Sequence, residues 1–133
     1  MLKLLIVDDN PLEHLITEIM VRESKIFEHI SHSMEADVAI ADLERNINKP
    51  DALPDVIFLD LSMPVFNGWD FIDKFEELHP QLKKPIDIYI VSSSIDTGDI
   101  FRAGKYNFVK AYFTKPLKKE TLTNLYTVYH PEG

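Results

Sequence analysis

Three carboxylates and a lysine stand at the ends of separate apolar runs, a layout suited to metal and phosphoryl chemistry. Leu4-Leu5-Ile6-Val7 runs into Asp8-Asp9, Val56-Ile57-Phe58-Leu59 into Asp60, Ile88-Tyr89-Ile90-Val91 into Ser92, and Ala111-Tyr112-Phe113-Thr114 into Lys115-Pro116. Crowded acids repel: two like charges about 4 Å apart cost about 4 kcal/mol at an effective dielectric near 20. A cation is therefore expected among Asp8, Asp9 and Asp60. An all-oxygen ligand set suits a hard ion, and Mg²⁺ above all where a phosphoryl group also enters. The incoming group would be held by the metal, the Lys115 ammonium and the Ser92 hydroxyl, while an Asp carboxylate attacks it to form an aspartyl phosphate. Asp60 is the expected nucleophile, because strands and their loops flank it on both sides.

These residues can cooperate only if the strand ends meet. Short continuous apolar runs bounded by polar residues read as strands buried on both faces, the pattern of a parallel sheet. Segments of helical period alternate with them. The first runs from Pro11 to about Ser24, with Asn10 as N-cap and Leu12, Leu15, Ile16, Ile19 and Met20 along one face. A weaker strand, His29 to Ser33, precedes a helix from about Glu35 to Ile47 that carries Val38, Ala39, Ala41, Asp42 and Leu43; Asn46 to Pro54 is then a polar loop. After the third strand, Met63 to Gly68 is a loop, and Trp69, Phe71, Ile72, Phe75 and Leu78 form a helix face ending near His79-Pro80. A short helix from Thr97 to Ala103 stops at Gly104, and a last helix runs from Lys119 to Tyr129. Five strands alternating with five helices imply a doubly wound α/β sheet with helices on both faces. The expected strand order is the flavodoxin-like 2-1-3-4-5, which puts the first and third strands side by side at the switch point.

Composition narrows the function classes. The 133 residues fit one domain spanning 1–133, with no room for an effector domain in the tail from His130 to Gly133. A net charge of -8 without clustered Lys and Arg argues against direct nucleic-acid binding. No cysteine is present, so disulfides, thiolate nucleophiles and cysteine metal sites are excluded. With no apolar stretch of spanning length and no signal-like start, no membrane insertion and a cytoplasmic location are expected.

The ordered set resembles the receiver domain of the bacterial two-component response-regulator family over essentially the whole chain. The matching residues are Asp8-Asp9, Asp60 followed by Met63-Pro64 and Gly68, then Ser92, Tyr112 and Lys115-Pro116. The resemblance implies that a histidine kinase or histidine phosphotransfer protein phosphorylates Asp60. It implies that Asp8, Asp9 and the Ser62 carbonyl help Asp60 hold Mg²⁺, that Lys115 contacts the phosphoryl group, and that Ser92 and Tyr112 form a switch pair. It further implies a cis bond at Lys115-Pro116. The face read by a downstream partner or a second, phosphorylation-dependent copy would include parts of Asp96 to Lys105, the fifth strand, and Lys118 to Tyr126. Such a chain is a signalling module that catalyses its own phosphoryl transfer and slow dephosphorylation, not a metabolic enzyme. Ser93, where the family usually has Ala or Gly, and Ser62, two residues after the acceptor, bear on the phosphoryl lifetime.

Other readings remain open at this level. Asp8-Asp9-Asn10 would also serve as a plain helix start, and Lys115 alone as a surface lysine. A haloacid-dehalogenase-like phosphatase also uses an Asp nucleophile, a Ser or Thr, a Lys and Mg²⁺, yet it needs an acid two residues after its nucleophile, where Asn10 follows Asp8. A pseudo-receiver acting only as a scaffold is the third. The five histidines lack metal-ligand spacing.

Overall fold

The computed structural model describes residues 2–132; Met1 and Gly133, the two ends of the expected single domain, lie outside them. Five strands, β1 (Lys3–Val7), β2 (His29–Ser33), β3 (Val56–Leu59), β4 (Asp87–Ser92) and β5 (Val109–Thr114), form one parallel sheet in the order β2-β1-β3-β4-β5. The helices α1 (Pro11–Ser24), α2 (Ala36–Arg45), α3 (Gly68–Leu78), α4 (Thr97–Ala103) and α5 (Lys119–Tyr129) provide the crossovers. The expected order and element count are both observed.

Alternation along the strands divides the core in two. Val7, Ile57, Leu59, Ile88 and Ile90 face the α2 and α3 side, against Leu43, Phe71, Ile72 and Phe75. Leu4, Ile6, Val56, Phe58, Tyr89 and Val91 face the other side, against Val21, Leu122 and Leu125 of α1 and α5. All four residues of β3 are buried, and its neighbours β1 and β4 nearly so, which is why those runs are continuously apolar. The edge strands β2 and β5 are half-exposed, and their patterns are accordingly weaker.

Several details depart from the sequence reading. The α1 stripe is present as one face, but that face is turned to water: Leu12, Leu15, Ile16 and Ile19 are exposed by about half or more, and Met20 is half-buried. Inward positions belong to His14 and Val21, with Thr17 and Ser24 half-buried. In α2 the buried set is Ala36, Ala39, Ile40 and Leu43, whereas Val38 and Ala41 are exposed; the helix also ends earlier, at Arg45. The polar segment 46–54 contains a single 3-10 turn at Pro50–Ala52 and is pinned by the fully buried Leu53. Gly104 closes α4 in the right-handed region, at φ -67°, so no left-handed glycine cap is used.

Candidate functional site

Parallel strands bring their carboxyl ends to one edge of the sheet, and the register shows how closely. Val7 pairs with Leu59, so Asp8 and Asp60 leave the sheet side by side, and Asp60 N–H donates to the Val7 carbonyl at 2.9 Å. Ser92 pairs with Thr114, and the next residue, Lys115, donates its N–H to the Ser92 carbonyl at 2.8 Å. The Lys115–Pro116 bond is cis.

Asp8 is buried and fully engaged. Its Oδ1 accepts from Asn10 N–H at 3.0 Å and its Oδ2 from Lys115 Nζ at 2.9 Å. Asp60 is buried, with Oδ1 accepting from Ser62 N–H at 3.3 Å and Oδ2 at 3.7 Å from Lys115 Nζ. Asp9 is half-buried, and one oxygen each from Asp8, Asp9 and Asp60 fall within 4.8 Å of one another. Burial pushes the Asp60 carboxyl up to about 6, with the charges of Asp8 and Glu13 adding to the effect and Lys115 and the Ser62 N–H opposing it. Burial by itself would lower the Lys115 ammonium, but its bonds to Glu13 and Asp8 outweigh that and hold it above the ordinary lysine range.

The donor set passes the test for a cation. It is all oxygen, converges on one point, and carries the charge of Asp8, Asp9 and Asp60 against a single ammonium, an imbalance that a divalent ion relieves. Ser62 is exposed just beyond Asp60, with its backbone at the same edge.

Ser92 and Tyr112 belong to a second layer. Ser92 is fully buried, and its hydroxyl accepts from Ser94 N–H at 3.2 Å; the half-buried Tyr112 donates its hydroxyl to the Ser94 carbonyl at 2.8 Å. Among the described residues, neither is hydrogen-bonded to a carboxylate of the cluster. Ser94 Oγ in turn donates to Asp99 at 2.8 Å, and Asp99 accepts from the Trp69 indole at 3.1 Å. Gly68 approaches the backbone of Asp60, since a Cβ there would lie 2.5 Å from the Asp60 carbonyl oxygen.

Two features escaped the sequence reading. Glu13 reaches Lys115 at 2.5 Å, and its one local signal was a position three residues after the cap Asn10. His14 and His32 meet through their Nδ1 atoms at 3.1 Å, with Glu18 bonded to the far nitrogen of His32; no spacing in the chain foretold this contact between α1 and β2.

Comparison with known proteins gives the geometry a family. Over 99 residues the chain is 31% identical to a protein-glutamate methylesterase/protein-glutamine glutaminase of Agrobacterium fabrum (strain C58 / ATCC 33970), matching 72% of this chain and 24% of that protein. It thus spans about a quarter of that relative's length. A two component response regulator from Cytophaga hutchinsonii superposes with a TM-score of 0.85 at 28% identity, covering 98% of this chain and 97% of that one. The receiver domain of sensor histidine kinase PA1611 from Pseudomonas aeruginosa PAO1, whose active site cleft coordinates magnesium, shares the fold at a TM-score of 0.73 and 19% identity, over 96% of each chain. Residues 4–127 match the family model of the response regulator receiver domain, which favours that reading over the phosphatase, while the intact acidic cluster beside Lys115 favours it over the scaffold. With nearly all of its length matched, and with acids, lysine and strand order in one arrangement, this chain belongs to the response regulator receiver domain family.

Proposed function

We propose that Asp60 accepts a phosphoryl group from a phosphohistidine of a histidine kinase or phosphotransfer protein, and that the chain switches a binding surface in response. One observation carries this reading: a lysine ammonium lies 2.9 Å from Asp8 and 3.7 Å from Asp60, inside a carboxylate cluster in which Asp60 Oδ2 accepts no hydrogen bond among the described residues. That oxygen attacks phosphorus, the donor's N–P bond breaks, and the electron pair returns to the leaving imidazole. Asp8, Asp9, Asp60 and the Ser62 carbonyl would hold Mg²⁺, which when bound neutralises charge on the transferring group. Lys115 binds one phosphoryl oxygen and Ser92 another.

Surface placement supports the partner assignments. The exposed Leu12, Leu15, Ile16 and Ile19 form the apolar side of α1, and the first turn of that helix touches Lys115 through Glu13. A donor lying along α1 has its phosphohistidine beside the acceptor. Ile95, Ile100 and Phe101 are exposed at α4, where a downstream partner or a second copy would read the α4–β5–α5 face. No helix among the described residues is long and apolar enough to cross a membrane.

Incubation with Mg²⁺ and acetyl phosphate tests the acceptor. Mass spectrometry should locate the new phosphoryl group on Asp60, and Asp60→Asn should not be labelled. Label on Asp8 or Asp9, or equal labelling of the Asn variant, would sink the assignment.

A further inference from the structure

Lys115 has one ammonium and several acids to serve. Its Nζ donates to Asp8 at 2.9 Å and to Glu13 at 2.5 Å, whereas Asp60 Oδ2 at 3.7 Å is beyond hydrogen-bond reach. The cation nearest the acceptor is therefore held by an acid that phosphoryl transfer does not use.

Local structure explains why Glu13 is available. It is the third residue of α1, where a glutamate ordinarily folds back onto the N–H of the cap residue. Here that N–H, on Asn10, is already taken by Asp8 Oδ1 at 3.0 Å, while the Asn10 side chain accepts from the N–H groups of Leu12 and Glu13. The Glu13 carboxylate is thereby freed from the cap and extends to Lys115. The two acids on the lysine also differ in how readily they let go. The Glu13 side chain is 40% exposed and can turn into water, whereas Asp8 at 7% is enclosed and bonded through both oxygens.

We infer that Glu13 is a positioning residue for Lys115. With Asp60 unmodified it draws the ammonium toward α1, and it releases the ammonium when a phosphoryl group arrives, so its pull sets how readily the site accepts that group. A dianionic phosphoryl oxygen competes directly with the Glu13 carboxylate for the same N–H donors. The inference rests on Asp60 as acceptor.

Glu13→Gln keeps the length and removes the charge. At saturating Mg²⁺ it should bind the phosphoryl mimic beryllofluoride about fivefold more tightly, the scale of a partly exposed ion pair. Its affinity for Mg²⁺ alone should stay level or fall, because a negative charge near the cluster has been lost. A folding defect would weaken both together. Amide NMR titrations of wild type, Glu13→Gln, Lys115→Ala and the double variant decide the matter. The gain should shrink by at least about threefold without Lys115; an equal gain in both backgrounds would mean Glu13 acts by charge alone, and no gain, or a loss, would overturn its role outright. If wild type binds no beryllofluoride, or Asp60→Asn binds it equally well, the acceptor reading fails first and takes this one with it.

Discussion

Burial raises the Asp60 carboxyl to about 6, so the folded chain holds that proton more tightly than the unfolded chain does. The group's contribution to stability is therefore complete below the ordinary aspartate value near 4 and is lost as pH rises through about 6. Above that pH, an ionised Asp60 among like charges costs up to about 3 kcal/mol, from about 1.4 kcal/mol for each pH unit between the two values, less what water at the cleft screens. Lys115 offsets only part of this, because it is bonded to Asp8 and Glu13 instead. Asp60→Asn carries no charge at any pH and keeps an oxygen to accept from Ser62 N–H. Without metal it should be more stable than wild type at pH 7.5 by roughly 1–3 kcal/mol, seen as a melting temperature several degrees higher. The difference should shrink toward zero near pH 4, where wild-type Asp60 is also neutral. Equal melting temperatures at pH 7.5 would show that the native site does not bear this strain.

Elements place Asp60, and Gly68 brings the start of α3 tightly against the backbone that follows β3. Its N–H donates to the Leu61 carbonyl at 3.1 Å, and an added Cβ would meet the Asp60 carbonyl oxygen at 2.5 Å and the Leu61 Cα at 2.7 Å. Both neighbours are backbone and cannot swing aside, and no positive φ is involved, so close approach alone requires glycine. Gly68→Ala should cost about 1–3 kcal/mol through overpacking and slow the labelling of Asp60 by acetyl phosphate. Calorimetry that finds no loss of stability would contradict the contact. Much at this scale was legible: strands buried on both faces carry continuous apolar runs, and the ends of parallel strands must converge, so the meeting of Asp8, Asp9, Asp60 and Lys115 could be expected, whereas Ser92 sits a layer back, turned to Ser94. The facing of α1 was not. A period of 3.6 residues defines a stripe without saying which way it points, and the inward side of α1 holds His14, Thr17 and Val21, of which only Val21 is apolar, too little for a hydrophobic pattern to mark that side. Glu13 was equally hidden, because its partner is 102 residues away and only the folded sheet joins them.

Across the molecule, the carboxyl edge of the sheet at Ser92 is joined to the α4 surface by a chain of hydrogen bonds through Ser94. The Ser92 hydroxyl accepts from Ser94 N–H, the Ser94 carbonyl accepts from Tyr112, the Ser94 hydroxyl donates to Asp99, and Trp69 donates to the same Asp99. Arg102 of α4 stacks 4.2 Å from the Trp69 ring centroid and pairs with Asp73, tying α4 to α3. If Ser92 Oγ turns to donate to a phosphoryl oxygen, the Ser94 peptide it supports has to follow, and with it the Tyr112 ring and the first turn of α4. A full shift from 1:99 to 99:1 between two arrangements requires about 5.5 kcal/mol of differential binding. Charge-assisted bonds from Ser92 and Lys115, at roughly 1.5–3 kcal/mol each, are of the size to supply most of it. Ser92→Ala deletes both the donor proposed for the phosphoryl group and the acceptor for Ser94 N–H, while leaving Asp60 and Lys115 in place. It should still be labelled on Asp60 but no longer pass the signal on. With beryllofluoride, wild type should show amide NMR shifts across α4, β5 and α5, and the variant should confine them to residues around Asp8, Asp60 and Lys115. Equal shifts across α4, β5 and α5 in both proteins would mean that the signal reaches that surface by a route that bypasses Ser92.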